Sequence, residues 1–78
     1  MFILIAVDYG ETCDGHTRKL GIFKSKRAAE KSLDKDMIGL HDSYVRQGHT
    51  VDLYPFTREL WVDGRMGEFG TVWDIHKI

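Results

Sequence analysis

Few residues in this chain have types and spacings that could do chemistry. Cys13 and His16 form a Cys-x-x-His pair within the polar run 10–17, GETCDGHT. A thiol beside an imidazole is the start of a nucleophilic site, and both side chains are zinc-ligand types. A structural zinc site needs four ligands. This sequence holds one cysteine, and His41, His49 and His76 are scattered. Nucleophilic catalysis also needs an orienting group and an oxyanion hole, and no pattern near Cys13 supplies them. Asp34 and Asp36 are two apart, so on a helix they diverge, and Asp42 reads as solvating a polar face. P-loop, Gly-x-Gly-x-x-Gly, His-Glu-x-x-His and Gly-x-Ser-x-Gly patterns are missing. The glycine-rich run 64–70, GRMGEFG, lies between strand-like segments and reads as a hairpin loop rather than a phosphate cradle. No catalytic residue, metal or cofactor is expected.

Two other groupings could carry binding. Arg18, Lys19, Lys24, Lys26, Arg27, Lys31 and Lys35 fall in one window with only Glu30 and Asp34 as counter-charges. The window carries +5 and the remainder −6, so a chain of net charge −1 is electrically two-sided. The cluster spans a predicted helix start, where the macrodipole already favours anions. It reads as a solvated helix start, as a patch for an acidic protein face, or as a nucleic-acid patch. No RNA-recognition signature or helix-turn-helix pair favours the last. The second grouping is aromatic: Tyr54, Phe56, Trp61, Phe69 and Trp73. Large aromatics and arginines anchor protein interfaces. Trp61, Trp73, Tyr54 and Phe69, with Arg58 and Arg65 on the rim, are therefore the candidate partner-binding set. The same residues could instead build a second core. One tryptophan buried and one partly exposed is the expected compromise.

The elements that position these residues follow from periodicity. Phe2–Tyr9 reads as a strand with Phe2, Leu4 and Ala6 on one face and Ile3, Ile5 and Val7 on the other. Both faces are apolar, as in a strand covered on both sides. A loop over 10–17 with an Asp14-Gly15 turn signal leads to a second strand, Arg18–Phe23. Ser25 is a helix N-cap candidate. Ala29, Leu33, Met37, Leu40 and Tyr44 recur at helical spacing, with Ile38 and Val45 widening the stripe. Gly48 sits where a helix-ending glycine belongs, so the predicted helix spans about 26–47. Gly39 inside it implies close packing or a bend. His49–Phe56 reads as a third strand with Pro55 at an edge or end. Arg58–Val62 and Thr71–Ile78 read as a closing hairpin around Asp63-Gly64.

The run Leu20, Gly21, Ile22, Phe23, Ser25, Ala28 and Ala29, in the pattern Leu-Gly-Ile-Phe-x-Ser-x-x-x-Ala, resembles a group of short uncharacterised β-β-α-β proteins of bacteria and their phages. The segment 58–64 (RELWVDG) resembles their ending more loosely. These residues are structural, so the resemblance transfers no site. It implies a small accessory protein, of a kind often encoded on mobile elements, that covers a host protein's working surface.

At 78 residues there is room for one domain with a thin core. One cysteine forbids an internal disulfide. The longest apolar run, Phe2–Val7, is far short of the ~20 residues that span a bilayer. A membrane segment or signal peptide is not expected, and a soluble cytoplasmic protein is. The predicted fold is α+β: an antiparallel sheet of four or five strands against one helix. One helix covers one sheet face. The other is expected to be covered by the Trp61/Trp73 hairpin folding back, or to bind a second molecule, most simply as a homodimer. The predicted function is non-catalytic protein binding: a phage-type inhibitor that occludes a host protein, for instance a defence protein. The alternative is a nucleic-acid-binding module using Arg18–Lys35.

Overall fold

Two hydrophobic periodicities have to be reconciled in one small chain: a stripe at helical spacing over residues 29–44, and alternation in the segments on either side. The computed structural model shows how; it describes residues 1–10 and 13–78, with the side chains of Cys13 and Asp14 outside that description. In chain order the elements are β1 (Phe2–Gly10), β2 (Cys13–Phe23), α1 (Lys26–Arg46), β3 (Val51–Tyr54), β4 (Glu59–Val62) and β5 (Gly70–Lys77). The five strands form one sheet in the order β2-β1-β5-β4-β3, each neighbouring pair antiparallel. The fold is α+β, as the sequence predicts.

The helix starts and stops where its signals say. Ser25 is extended at the N-cap, and its Oγ accepts the Ala28 N–H at 3.1 Å. At the other end Gly48 takes φ 90, its N–H donates to the Val45 carbonyl, and the His49 N–H donates to that of Tyr44. That is a Schellman closure, which needs a residue tolerant of left-handed backbone at Gly48. Ala29, Leu33 and Met37 are buried against the sheet, with Leu40 and Tyr44 packed beside them. Ile38 and Val45 do not widen the buried stripe; they are 58% and 49% exposed.

The helix covers one sheet face. There it meets Leu4 and Ala6 of β1, Leu60 and Val62 of β4, and Trp73 of β5, the main core. The opposite face carries Ile3, Ile5 and Val7, all half-buried. The alternation in β1 is therefore as read, but only one of its faces lies under a helix. The closing hairpin does not fold back over the second face. Its strands are part of the sheet, and β5 is the middle strand.

The predicted loop over 10–17 is also corrected. From Cys13 onward the chain is strand, pairing Val7 with Thr17 and Asp8 with His16. Polar side chains on an edge strand mimic a loop in sequence, because one side of the strand and much of its surface face water. Both sheet edges are blunted. β2 shifts register against β1 opposite Leu4/Ile5 and Asp8/Tyr9, and β3 is four residues long and followed by Pro55. The Asp63-Gly64 signal becomes a tight turn with both residues at positive φ, 55 and 70.

Two glycines separate the helix from the sheet in their demands. A Cβ on Gly39 would meet nothing within 4 Å, so close packing is not its role. A Cβ on Gly70 would lie 2.0 Å from the Leu60 carbonyl oxygen and 2.6 Å from the Trp61 ring. In urea titrations, Gly39→Ala is expected to raise stability by about 0.5–1 kcal/mol, since alanine is the better helix former. Gly70→Ala is expected to lower it by about 3 kcal/mol, because neither backbone nor indole can yield.

Candidate functional site

The predicted partner-binding residues divide by sheet face. Trp73 points to the helix side and is 2% exposed; its Nε1 donates to Asp36 Oδ2 at 2.8 Å. Trp61 lies on the other face and is 4% exposed. Its ring lies against Gly70, and the Tyr9 ring stands 5.9 Å away, centroid to centroid. Gly70 sits between them in the sheet, paired with Tyr9 on one side and Trp61 on the other. The two aromatics cover a position with no side chain of its own, and Trp61 Nε1 donates to Glu59 at 2.9 Å. The expected compromise is thus overturned: both tryptophans are buried, on opposite faces, and neither is a surface anchor.

Phe69 is half-buried in a small aromatic cluster. It meets Tyr44 edge-on at 5.6 Å and His49 at 5.7 Å. The Arg65 guanidinium stands 5.9 Å from its centroid, with Nε donating to Glu68. Arg58 is half-buried in the β3–β4 turn with φ 60, and its carbonyl accepts the Trp73 N–H at 2.9 Å. Of the predicted set only Tyr54 is exposed, at 41%. Two residues beyond it, at the tip of the same hairpin, Phe56 is 99% exposed. Its position in a four-residue turn after Pro55 is the signal that separates it from the other aromatics.

The basic window also divides. Arg18 faces the helix side. Its guanidinium is held by Asp8, through Nε and through Nη2 at 3.1 Å, and Nη2 reaches Asp36 at 3.3 Å. Asp8 also accepts the Thr71 hydroxyl at 2.6 Å. The Asp8 hydrogen bond raises the Arg18 pKa, burial opposes it, and Asp36 adds to the rise. Burial pushes the Tyr44 phenol up nearby, and the Asp8 charge adds to that. Arg18 is therefore a structural cation in a polar seam under the helix and is not part of an anion patch. Asp8 and Thr71 were not singled out from the sequence. The signal was there: Asp8 has the parity of Leu4 and Ala6, and an acid on a core face requires a cation. Lys19 lies on the open face opposite Ile5. Lys24, Lys26, Arg27 and Lys31 are exposed at the start of the helix.

A cleft of about 410 Å³ opens between α1 and β2, lined by Leu20, Ser32, Lys35, Asp36, Gly39 and Leu40. Asp36, in its lining, is already committed to Arg18 and Trp73. His16 is exposed on β2, and the Cys13 side chain lies outside the described residues. Among the described residues, no group of three or more His, Cys, Asp or Glu is placed to hold a metal ion. No helix among them is long and apolar enough to cross a membrane. Comparison of the chain with protein-family models, curated proteins and solved structures gives no match.

Two outcomes test this geometry. Asp36→Ala is expected to cost about 2 kcal/mol in chemical denaturation, since it strands the Trp73 N–H and one side of Arg18. At the Asp63 turn, the His49 ring at 2.8 Å and the Thr50 N–H at 3.0 Å hold the carboxyl below its ordinary pKa of 3.8. A depressed carboxylate stabilises the fold above its unfolded pKa and loses that contribution as pH falls through the folded value. An NMR titration is expected to place the Asp63 midpoint below 3.8 and to move it upward in His49→Ala.

Proposed function

We propose that the domain is a non-catalytic protein-binding module whose contact point is the β3–β4 hairpin tip, Tyr54-Pro55-Phe56. The observation that carries this reading is the complete exposure of Phe56, at 99%, on the turn between β3 and β4. A phenylalanine held in water gains nothing for the fold, while burying it in a partner's pocket is worth about 2 kcal/mol or more. Tyr54 and Pro55 beside it enlarge the anchor at little entropic cost. The exposed Lys24, Lys26, Arg27 and Lys31 give the helix start a positive field that speeds encounter with an acidic partner. In line with the resemblance to short phage proteins, the partner is a host protein whose working surface the domain occludes.

A second reading uses the same lysines for nucleic acid. It requires binding whose logarithm falls linearly with log salt, with a slope near the number of phosphates contacted.

The test is affinity capture with wild type, Phe56→Ala and Tyr54→Ala in parallel. Phe56→Ala is expected to lose the partner with an unchanged thermal midpoint. Trp73→Ala is expected to lose about 3–5 kcal/mol of stability and to fail by unfolding. Retention of the partner by both tip variants overturns the proposal.

A further inference from the structure

The open face of the sheet has a pattern of its own, independent of the hairpin tip. Among the described residues the one helix lies on the opposite face, and the other five elements are strands of the sheet. Across β2, β1 and β5 the register builds three rows on the open side. Ile22, Ile3 and His76 form the first, Lys19, Ile5 and Asp74 the second, and Thr17, Val7 and Val72 the third. The middle column is wholly aliphatic and half-buried, and Ile22 beside it is 47% exposed. On either side of Ile5 stand opposite charges. Lys19 is exposed and makes no ion pair shown among the described residues, and the Asp74 side chain is 58% exposed with His76 at 3.0 Å.

We propose that this face is an isologous interface between two copies of the chain, with a two-fold axis running along β1. Such an axis lays β1 on β1 and places β2 of one copy over β5 of the other. Ile3, Ile5 and Val7 then meet their own counterparts. Lys19 faces the partner's Asp74, and by symmetry Asp74 faces the partner's Lys19. The alternative axis, perpendicular to β1, sets Lys19 on Lys19 and Asp74 on Asp74, and like charges across a dry contact are penalised. The charge pattern therefore selects one arrangement. Facing sheets stand about 10 Å apart, a gap that an extended lysine and an aspartate fill together. No partner of other chemistry is needed to complete it, because each copy brings both halves of the match. The hairpin tip lies at the β3 edge, away from this contact.

The test is sedimentation equilibrium or light scattering across a concentration series. Wild type is expected to be dimeric at high concentration. Lys19→Asp and Asp74→Lys are each expected to raise the dimer Kd by about tenfold or more, and the double exchange to bring it back to within about threefold of wild type. Ile5→Glu is expected to give a monomer with native near-ultraviolet circular dichroism. Phe56→Ala leaves the dimer unchanged, so failure of this interface and failure of the tip are separable. A wild-type monomer up to about 1 mM overturns the proposal. So does a dimer indifferent to Lys19→Asp and Ile5→Glu, or a double exchange that fails to recover.

Discussion

Everything in this structure depends on the last strand lying in the middle of the sheet. Without β5, the described residues hold two separate hairpins, β1–β2 and β3–β4, with no strand pairing between them. β5 joins them, pairing Phe2–Tyr9 on one side and Glu59–Trp61 on the other. It also places Thr71, Trp73 and Ile75 under the helix. A two-stranded hairpin is marginal in water, whereas a five-stranded sheet with one covered face is not. The closing contacts join residues at opposite ends of the sequence, so chain entropy is lost before those contacts return anything. Cooperative folding follows from that order of events.

The helix was legible because its information is local. Ser25, the stripe Ala29-Leu33-Met37-Leu40-Tyr44 and Gly48 each speak within a few residues, and nothing distant contradicts them. The two faces of β1 were legible for the same reason. What needed tertiary context was missed. The Arg18–Phe23 part of β2 reads as a strand, but its first residues read as a loop because His16 and Thr17 lie on an edge strand, where polar residues cost nothing. Trp61 and Trp73 were expected to divide between core and surface because spacing along a hairpin says nothing about which sheet face each joins, and both are buried. Arg18 looked like one basic residue among seven because Asp8 and Asp36, which neutralise it, come from two other elements.

The seam of Asp8, Arg18, Asp36, Thr71 and Trp73 is a polar join inside an otherwise apolar layer. Partly buried ion pairs add little net stability, since desolvation offsets attraction. Their effect here is on register. Asp8 reaches β2 and β5, and Asp36 ties the helix to both, so a slip of any one element by a residue leaves a charge stranded. Among the described residues no buried side-chain polar atom lacks a partner, so the seam closes completely. Three of its four anchoring elements contribute one short polar side chain each, an economical way to fix a single helix over five strands.

The placement of the two tryptophans has a spectroscopic consequence. One indole is sealed between sheet and helix, hydrogen-bonded to a carboxylate. The other is packed against a tyrosine on the far side of the same sheet. Intrinsic fluorescence is therefore a two-channel signal. With Trp61 replaced by phenylalanine, the emission reports only on helix docking. With Trp73 replaced, it reports only on the outer layer, where Tyr9 is close enough to act as an energy donor. The molecule carries one optical probe for each of its two surfaces, and loosening of either layer is visible without a label.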